Sequence, residues 1–160
     1  FVFYPTEQAE ERTPAGYARL LGRLSQGLRS LDERQVRSRR GPQLLRQVYE
    51  EAAEQVAREH EGDVASHSLQ GRVAQTSQTL RREGIVDAWT KGSDGYHLTN
   101  SACPYRQVAL GSQGPCELDR RAIELLIEAP VRQVSRIADG HAACEYVVAD
   151  VRKGSKQKAR

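Results

Sequence analysis

Apolar residues in the first half of the chain recur at steps of three and four, the spacing of a helix face. Thr13-Pro14 is a helix start, with Thr at the N-cap and Pro at the first helical position. From there Tyr17, Leu20, Leu21, Leu24, Leu28 and Leu31 make one apolar stripe. Gly16, Gly22 and Gly27 fall inside it, each costing about 1 kcal/mol relative to Ala. Tertiary or intersubunit packing must make up that loss. Residues 37–42 break the pattern. A second helix is predicted over 43–59, with Leu44, Leu45, Val48, Ala52 and Val56 inward and Glu50, Glu51, Glu54 and Arg58 in water. A third, over 68–83, places Leu69, Val73, Thr76 and Leu80 on one face and stops at Gly84.

The period then changes. Residues 85–90 and 96–99 read as two strands joined by the turn Lys91-Gly-Ser-Asp-Gly95. A short apolar segment through Val108 and Leu110 leads to the loop Gly111-Ser-Gln-Gly-Pro115. Residues 116–128 form an amphipathic helix carrying Leu118, Ala122, Leu125 and Leu126, stopped by Pro130. Residues 131–138 and 143–149 make a final hairpin around Asp139-Gly-His141. Helices come first, then strand pairs with a helix between them, which predicts an α+β fold: N-terminal helices followed by a mixed α/β domain with antiparallel hairpins.

Composition adds a limit on partners. The 160 residues carry a net charge of +3, but VRKGSKQKAR at the end holds five of the 24 basic residues and no acid. Residues 1–150 are left with 19 basic against 21 acidic side chains, a net of −2. A nucleic-acid-binding domain keeps its basic excess on the folded body. No apolar run is long enough for a membrane helix and no signal segment opens the chain, so a soluble, cytoplasmic protein is expected. Phe1-Val-Phe-Tyr opens in mid-strand style, and the chain contains no Met. This points to the C-terminal part of a longer protein.

Cys103, Cys116 and Cys144 stand in a C-x12-C-x27-C arrangement. Three thiols leave one over from any disulfide, and the C-x2–4-C pairs of structural zinc are absent. His60, His67, His97 and His141 offer no recognisable base motif for a catalytic thiol. Pro104 follows the first Cys and Pro115 precedes the second, which falls near a helix N-terminus whose dipole favours a thiolate. Strand alternation sets Cys144, Tyr146 and Val148 on one face. Burial as small apolar groups and soft-metal ligation both remain open on these grounds; three convergent thiolates would suit an iron–sulfur cluster with one replaceable corner.

The stretch Gly84-Ile-Val-Asp…Asp94-Gly-Tyr…Asn100-Ser-Ala-Cys103-Pro-Tyr…Cys116-Glu-Leu…Ala129-Pro-Val…Gly140…Cys144-Glu-Tyr146 resembles the sensor half of SufR-type winged-helix repressors of iron–sulfur cluster assembly genes. Tyr4-Pro-Thr6-Glu with Pro14 and Tyr17 resembles the end of the wing and the linker helix, although the family usually has Leu where this chain has Pro5. Some relatives carry a further Cys that this chain lacks. The resemblance implies residues 1–40 as wing end and linker or dimerisation helix, 41–150 as sensor domain, and 151–160 as a basic tail. It implies a homodimeric regulator, not an enzyme, that binds a [4Fe–4S] cluster through Cys103, Cys116 and Cys144 and couples cluster state to operator DNA through a winged-helix domain outside this chain. Glu117, His141, another side chain, solvent or a small thiol would complete the cluster. The leucine stripe with Tyr17 is the expected dimer face. The alternative is a related sensor domain binding zinc, or a small ligand in a pocket lined by Trp89, Tyr96 and Tyr146.

Overall fold

Helix-period sequence and strand-period sequence separate into two layers, in a computed structural model that describes residues 14–150. The wing remnant and the basic tail expected at the two ends lie outside those residues. The helical part comprises α1 (Pro14–Ser30), α2 (Glu33–Val36), α3 (Gly41–His60) and α4 (Leu69–Arg81). The remainder comprises β1 (Ala88–Lys91), β2 (Gly95–Asn100), α5 (Arg106–Gly111), α6 (Gly114–Ile127), β3 (Val131–Ser135) and β4 (Cys144–Ala149). The fold is α+β. Among the described residues no helix is long and apolar enough to cross a membrane.

The strands form one sheet in the order β1-β2-β4-β3, every neighbour antiparallel. Tyr96, Leu98 and Asn100 pair with Val148, Tyr146 and Cys144. Because side chains alternate, these six share one face, and all six are buried. α4 and α6 lie against the sheet, and α3 packs along α6 with α1 beyond it. Val56, Val73, Leu80, Leu98 and Ile123 are fully buried in the shared core. Each contributes about 1.5–3 kcal/mol relative to an exposed position. Arg72 on α4 donates from Nε to the Ile127 carbonyl (2.9 Å) and from Nη2 to that of Leu126 (2.7 Å), so it satisfies the open end of α6.

Local differences from the sequence reading have tertiary causes. Ile85 and Val86 are not strand residues; they are buried in the turn leaving α4, and β1 starts at Ala88. The segment around Val108 coils into α5, and α6 begins two residues ahead of Cys116 with Pro115 in its first turn. The apolar stripe of α1 divides. Leu20 is core, and Tyr17 and Leu24 pack against it, whereas Leu28 is exposed. Half of the expected dimer face is therefore inner packing against the protein's own body.

The glycines of α1 divide in the same way. A Cβ at Gly27 would lie 2.9 Å from the Val48 carbonyl oxygen on α3, and one at Gly16 2.7 Å from that of Pro104. Nothing lies within 4 Å of the corresponding point at Gly22. Gly22→Ala should therefore stabilise the protein by about 0.5–1 kcal/mol through helix propensity. Gly27→Ala should destabilise it, because backbone must move. Urea unfolding of the two variants measures both signs.

On the outer face of the sheet, His97 is clamped between Glu145 (Nδ1 to Oε1, 2.7 Å) and Asp94 (Nε2 to Oδ1, 2.8 Å). The bond to Asp94 and then that to Glu145 raise the histidine pKa above its ordinary value. A raised folded pKa means that this contribution is complete below the unfolded value and is lost as pH rises through the folded one. His97→Gln should therefore narrow the difference in melting temperature between pH 6 and pH 8. An unchanged difference would remove His97 from the pH dependence.

Candidate functional site

Each cysteine reaches the core by a different route. Cys103 follows β2 in a turn held at two points. Asn100 Nδ2 donates to the Gly84 carbonyl (2.6 Å) and its Oδ1 accepts from the Ala102 amide (3.0 Å). Asp87 Oδ2 accepts from the Ser101 amide (2.7 Å). Cys116 is the third residue of α6. That first turn approaches α3 so closely that a Cβ on Gly114 would overlap the Tyr49 ring. Cys144 opens β4 on the inner face, opposite Asn100. Cys116 and Cys144 are buried, Cys103 is half-buried, and all three are free thiols.

These routes converge. A charge on Cys144 acts on both other thiols, and one on Cys103 acts on Cys116. The Ile137 amide donates to Cys144 Sγ at 3.4 Å, while the Tyr105 backbone and the Arg136 charge favour the thiolates of Cys103 and Cys116 respectively. Arg136 is itself held by a two-bond ion pair to Asp139. Among the described residues no three of these sulfur and carboxylate donors lie within 4.8 Å of one another, the closeness that a single ion requires. Thiolates are the usual protein ligands of iron–sulfur clusters, so the donor set is one that such a cluster takes by its chemistry.

Desolvation governs the titration of the thiols. Burial, then the nearby Asp119, pushes Cys116 up to about 12 despite its place at a helix N-terminus. Burial likewise raises Cys103 and Cys144. The dipole argument made from sequence is thus outweighed. Thiols with raised pKa values are poor nucleophiles at neutral pH, and a bound metal removes the proton outright.

Sequence reasoning missed Asp119. It lies one turn beyond Cys116 on α6 and is 5% exposed. Its carboxyl accepts a hydrogen bond from the Tyr105 hydroxyl, and burial pushes its pKa up to about 7. Its charge also acts on Tyr146, which is buried beside the thiols. The i, i+3 spacing from Cys116 was a usable signal, but an acid in an amphipathic helix reads first as solvated. Glu117 and His141, the named candidates for a fourth ligand, are both exposed. Trp89 and Tyr96 do line a cleft together with Lys91, their rings 6.1 Å apart, but Tyr146 is not part of it.

A second cluster joins α1 to the body. Glu59, His60 and Glu83 bring their ligand atoms within 4.8 Å of one another. Arg23 already bridges Glu59 (2.8 Å) and Glu83 (3.1 Å), and Arg19 reaches Glu83 (3.2 Å). Burial opposes the Arg23 charge, and the bonds to Glu83 and Glu59 overcome it, so its pKa is raised. These carboxylates are neutralised by the protein itself and form a structural tie.

Comparison with family models, with curated proteins and with solved structures gives no match to this chain. Functional argument therefore rests on the geometry. Tyr105→Phe removes the hydroxyl that Asp119 accepts from in a buried setting and should destabilise the protein by about 1–3 kcal/mol. Chemical denaturation of the variant beside the parent gives the value.

Proposed function

We propose that this chain is the sensor region of a transcriptional regulator that holds a [4Fe–4S] cluster through Cys103, Cys116 and Cys144. One observation carries the reading: three free cysteines from separate stretches of chain, two buried and one half-buried, come near enough for their charges to act on one another, and one of them accepts an amide hydrogen bond. Hydrogen bonds to sulfur tune and hold thiolate-ligated clusters. The spacing and the Cys-Pro-Tyr and Cys-Glu-Leu contexts that resemble the SufR-type repressors point the same way. When bound, the cluster supplies a redox-sensitive cross-link between the β2–α5 turn, α6 and β4.

The protein's own residues supply the coupling. The turn bearing Cys103 continues into Pro104, which lies under Gly16 of α1, and the Gln107 amide donates to the Tyr17 hydroxyl at 3.2 Å. A shift of this turn is felt at the start of α1, the end that leads toward the chain preceding it. Operator contacts then belong to a winged-helix domain joined through α1, consistent with the net −2 of residues 1–150. The raised thiol pKa values speak for a binding site and against a thiol-dependent enzyme. Three free cysteines suit a reducing, cytoplasmic setting. A homodimer would use Leu21 and Leu28, exposed on α1.

The test is anaerobic reconstitution with ferrous iron and sulfide. The parent chain should take up both in proportion and acquire broad visible absorbance. Each of Cys103→Ala, Cys116→Ala and Cys144→Ala should lose most of that absorbance, while costing the metal-free protein only about 1 kcal/mol, the scale of losing a small buried group. Full cluster content in any single variant would sink the assignment. Light scattering on the same samples should give a dimer for the parent and a monomer for Leu28→Glu.

A further inference from the structure

We propose that Asp119 is the fourth ligand of the group held by Cys103, Cys116 and Cys144, completing a site of three thiolates and one carboxylate. This rests on the reading of those cysteines as cluster ligands. Cys116 and Asp119 are three residues apart on α6, so they project from the same helix face, and each is 5% exposed. The Asp119 carboxyl accepts from the hydroxyl of Tyr105, which stands two residues past Cys103 in the turn that carries that thiol, so Asp119 lies between the Cys103 turn and the first turns of α6.

A buried carboxyl is costly unless it is paired with a cation or fully hydrogen-bonded. Asp119 forms no ion pair among the described residues, and its hydrogen bond comes from the neutral Tyr105 hydroxyl. Arg23, whose charge acts on it, is already committed to Glu59 and Glu83. An iron ion at the corner left open by the thiolates would supply the missing positive charge. Ligation exchanges the carboxyl proton for iron: the proton leaves to solvent, and the oxygen provides both electrons of the O–Fe bond. Tyr105 then orients the carboxylate as a neighbouring donor. The exposed Glu117, held by Arg120 at 3.1 Å, and the exposed His141 have no comparable reason to turn inward.

The experiment compares the full parent chain with Asp119→Ala, Asp119→Asn and Asp119→Cys, each reconstituted anaerobically with ferrous iron and sulfide. Iron and sulfide per chain and the electron paramagnetic resonance spectrum after mild oxidation are measured. Asp119→Ala should lose about a quarter of the iron and show a three-iron signal, since one corner has lost its protein ligand. Asp119→Cys should restore full iron with an altered spectrum. Circular dichroism checks each fold. If Asp119→Ala does not fold, Asp119→Asn, which keeps the volume and an oxygen for Tyr105, decides by the same iron loss. A parental iron content and spectrum in either folded variant overturns the assignment of Asp119 while leaving the three cysteines as ligands. A parent chain that takes up neither iron nor sulfide overturns both readings.

Discussion

The seating of α6 between the sheet and α3 is the constraint on which the rest of this protein depends. The helix can approach so closely only because Gly114 leaves room for the Tyr49 ring and because Ala52, Ala53 and Ala122 are small where the two helices bury them. Arg72 closes its far end by taking two carbonyls that would otherwise be left open in a buried place. Cys116 and Asp119 are carried on the first turns of this helix. Their positions are consequently set by core packing and not by a loop free to adjust.

The sheet does the complementary part. The register that pairs Asn100 with Cys144 brings the end of β2, and with it the turn to Cys103, beside the start of β4. Asn100 and Asp87 hold that turn through backbone hydrogen bonds. A slip of one residue would send Cys144 and Tyr146 to the solvent face. The thiols, Asp119 and two tyrosines are buried or half-buried together, and loss of solvation is the main cause that raises the pKa of each. Such an enclosure favours neutral acids while empty of metal and holds a positively charged group strongly.

The same enclosure is connected to α1. Pro104 under Gly16, the Gln107–Tyr17 bond, and the Arg23 bridge to Glu59 and Glu83 tie that helix to the turn bearing Cys103 and to the ends of α3 and α4. A change in the turn is opposed or transmitted by these contacts, since packed interiors shift between discrete arrangements more readily than they deform. This gives the proposed sensor a physical path from thiols to helix.

Local order was readable from sequence because periodicity and breakers act within a few residues. The period of α3 and α4, the stop at Gly84 and the two strand pairs follow from side chains that are near neighbours along the chain. The cysteines were identifiable as a set by their number and local context. What the chain alone did not reveal were effects between distant residues. Ile85 and Val86 look like strand residues until the core claims them; Gly16 and Gly27 look like weaknesses in a helix until Pro104 and Val48 arrive opposite. Cys116 reads as an activated thiol from its place at a helix start, yet in the folded protein desolvation outweighs the dipole. Asp119 reads as a wet acid until the fold buries it against the Tyr105 hydroxyl. Burial belongs to no single segment, and burial decided the chemistry of this site.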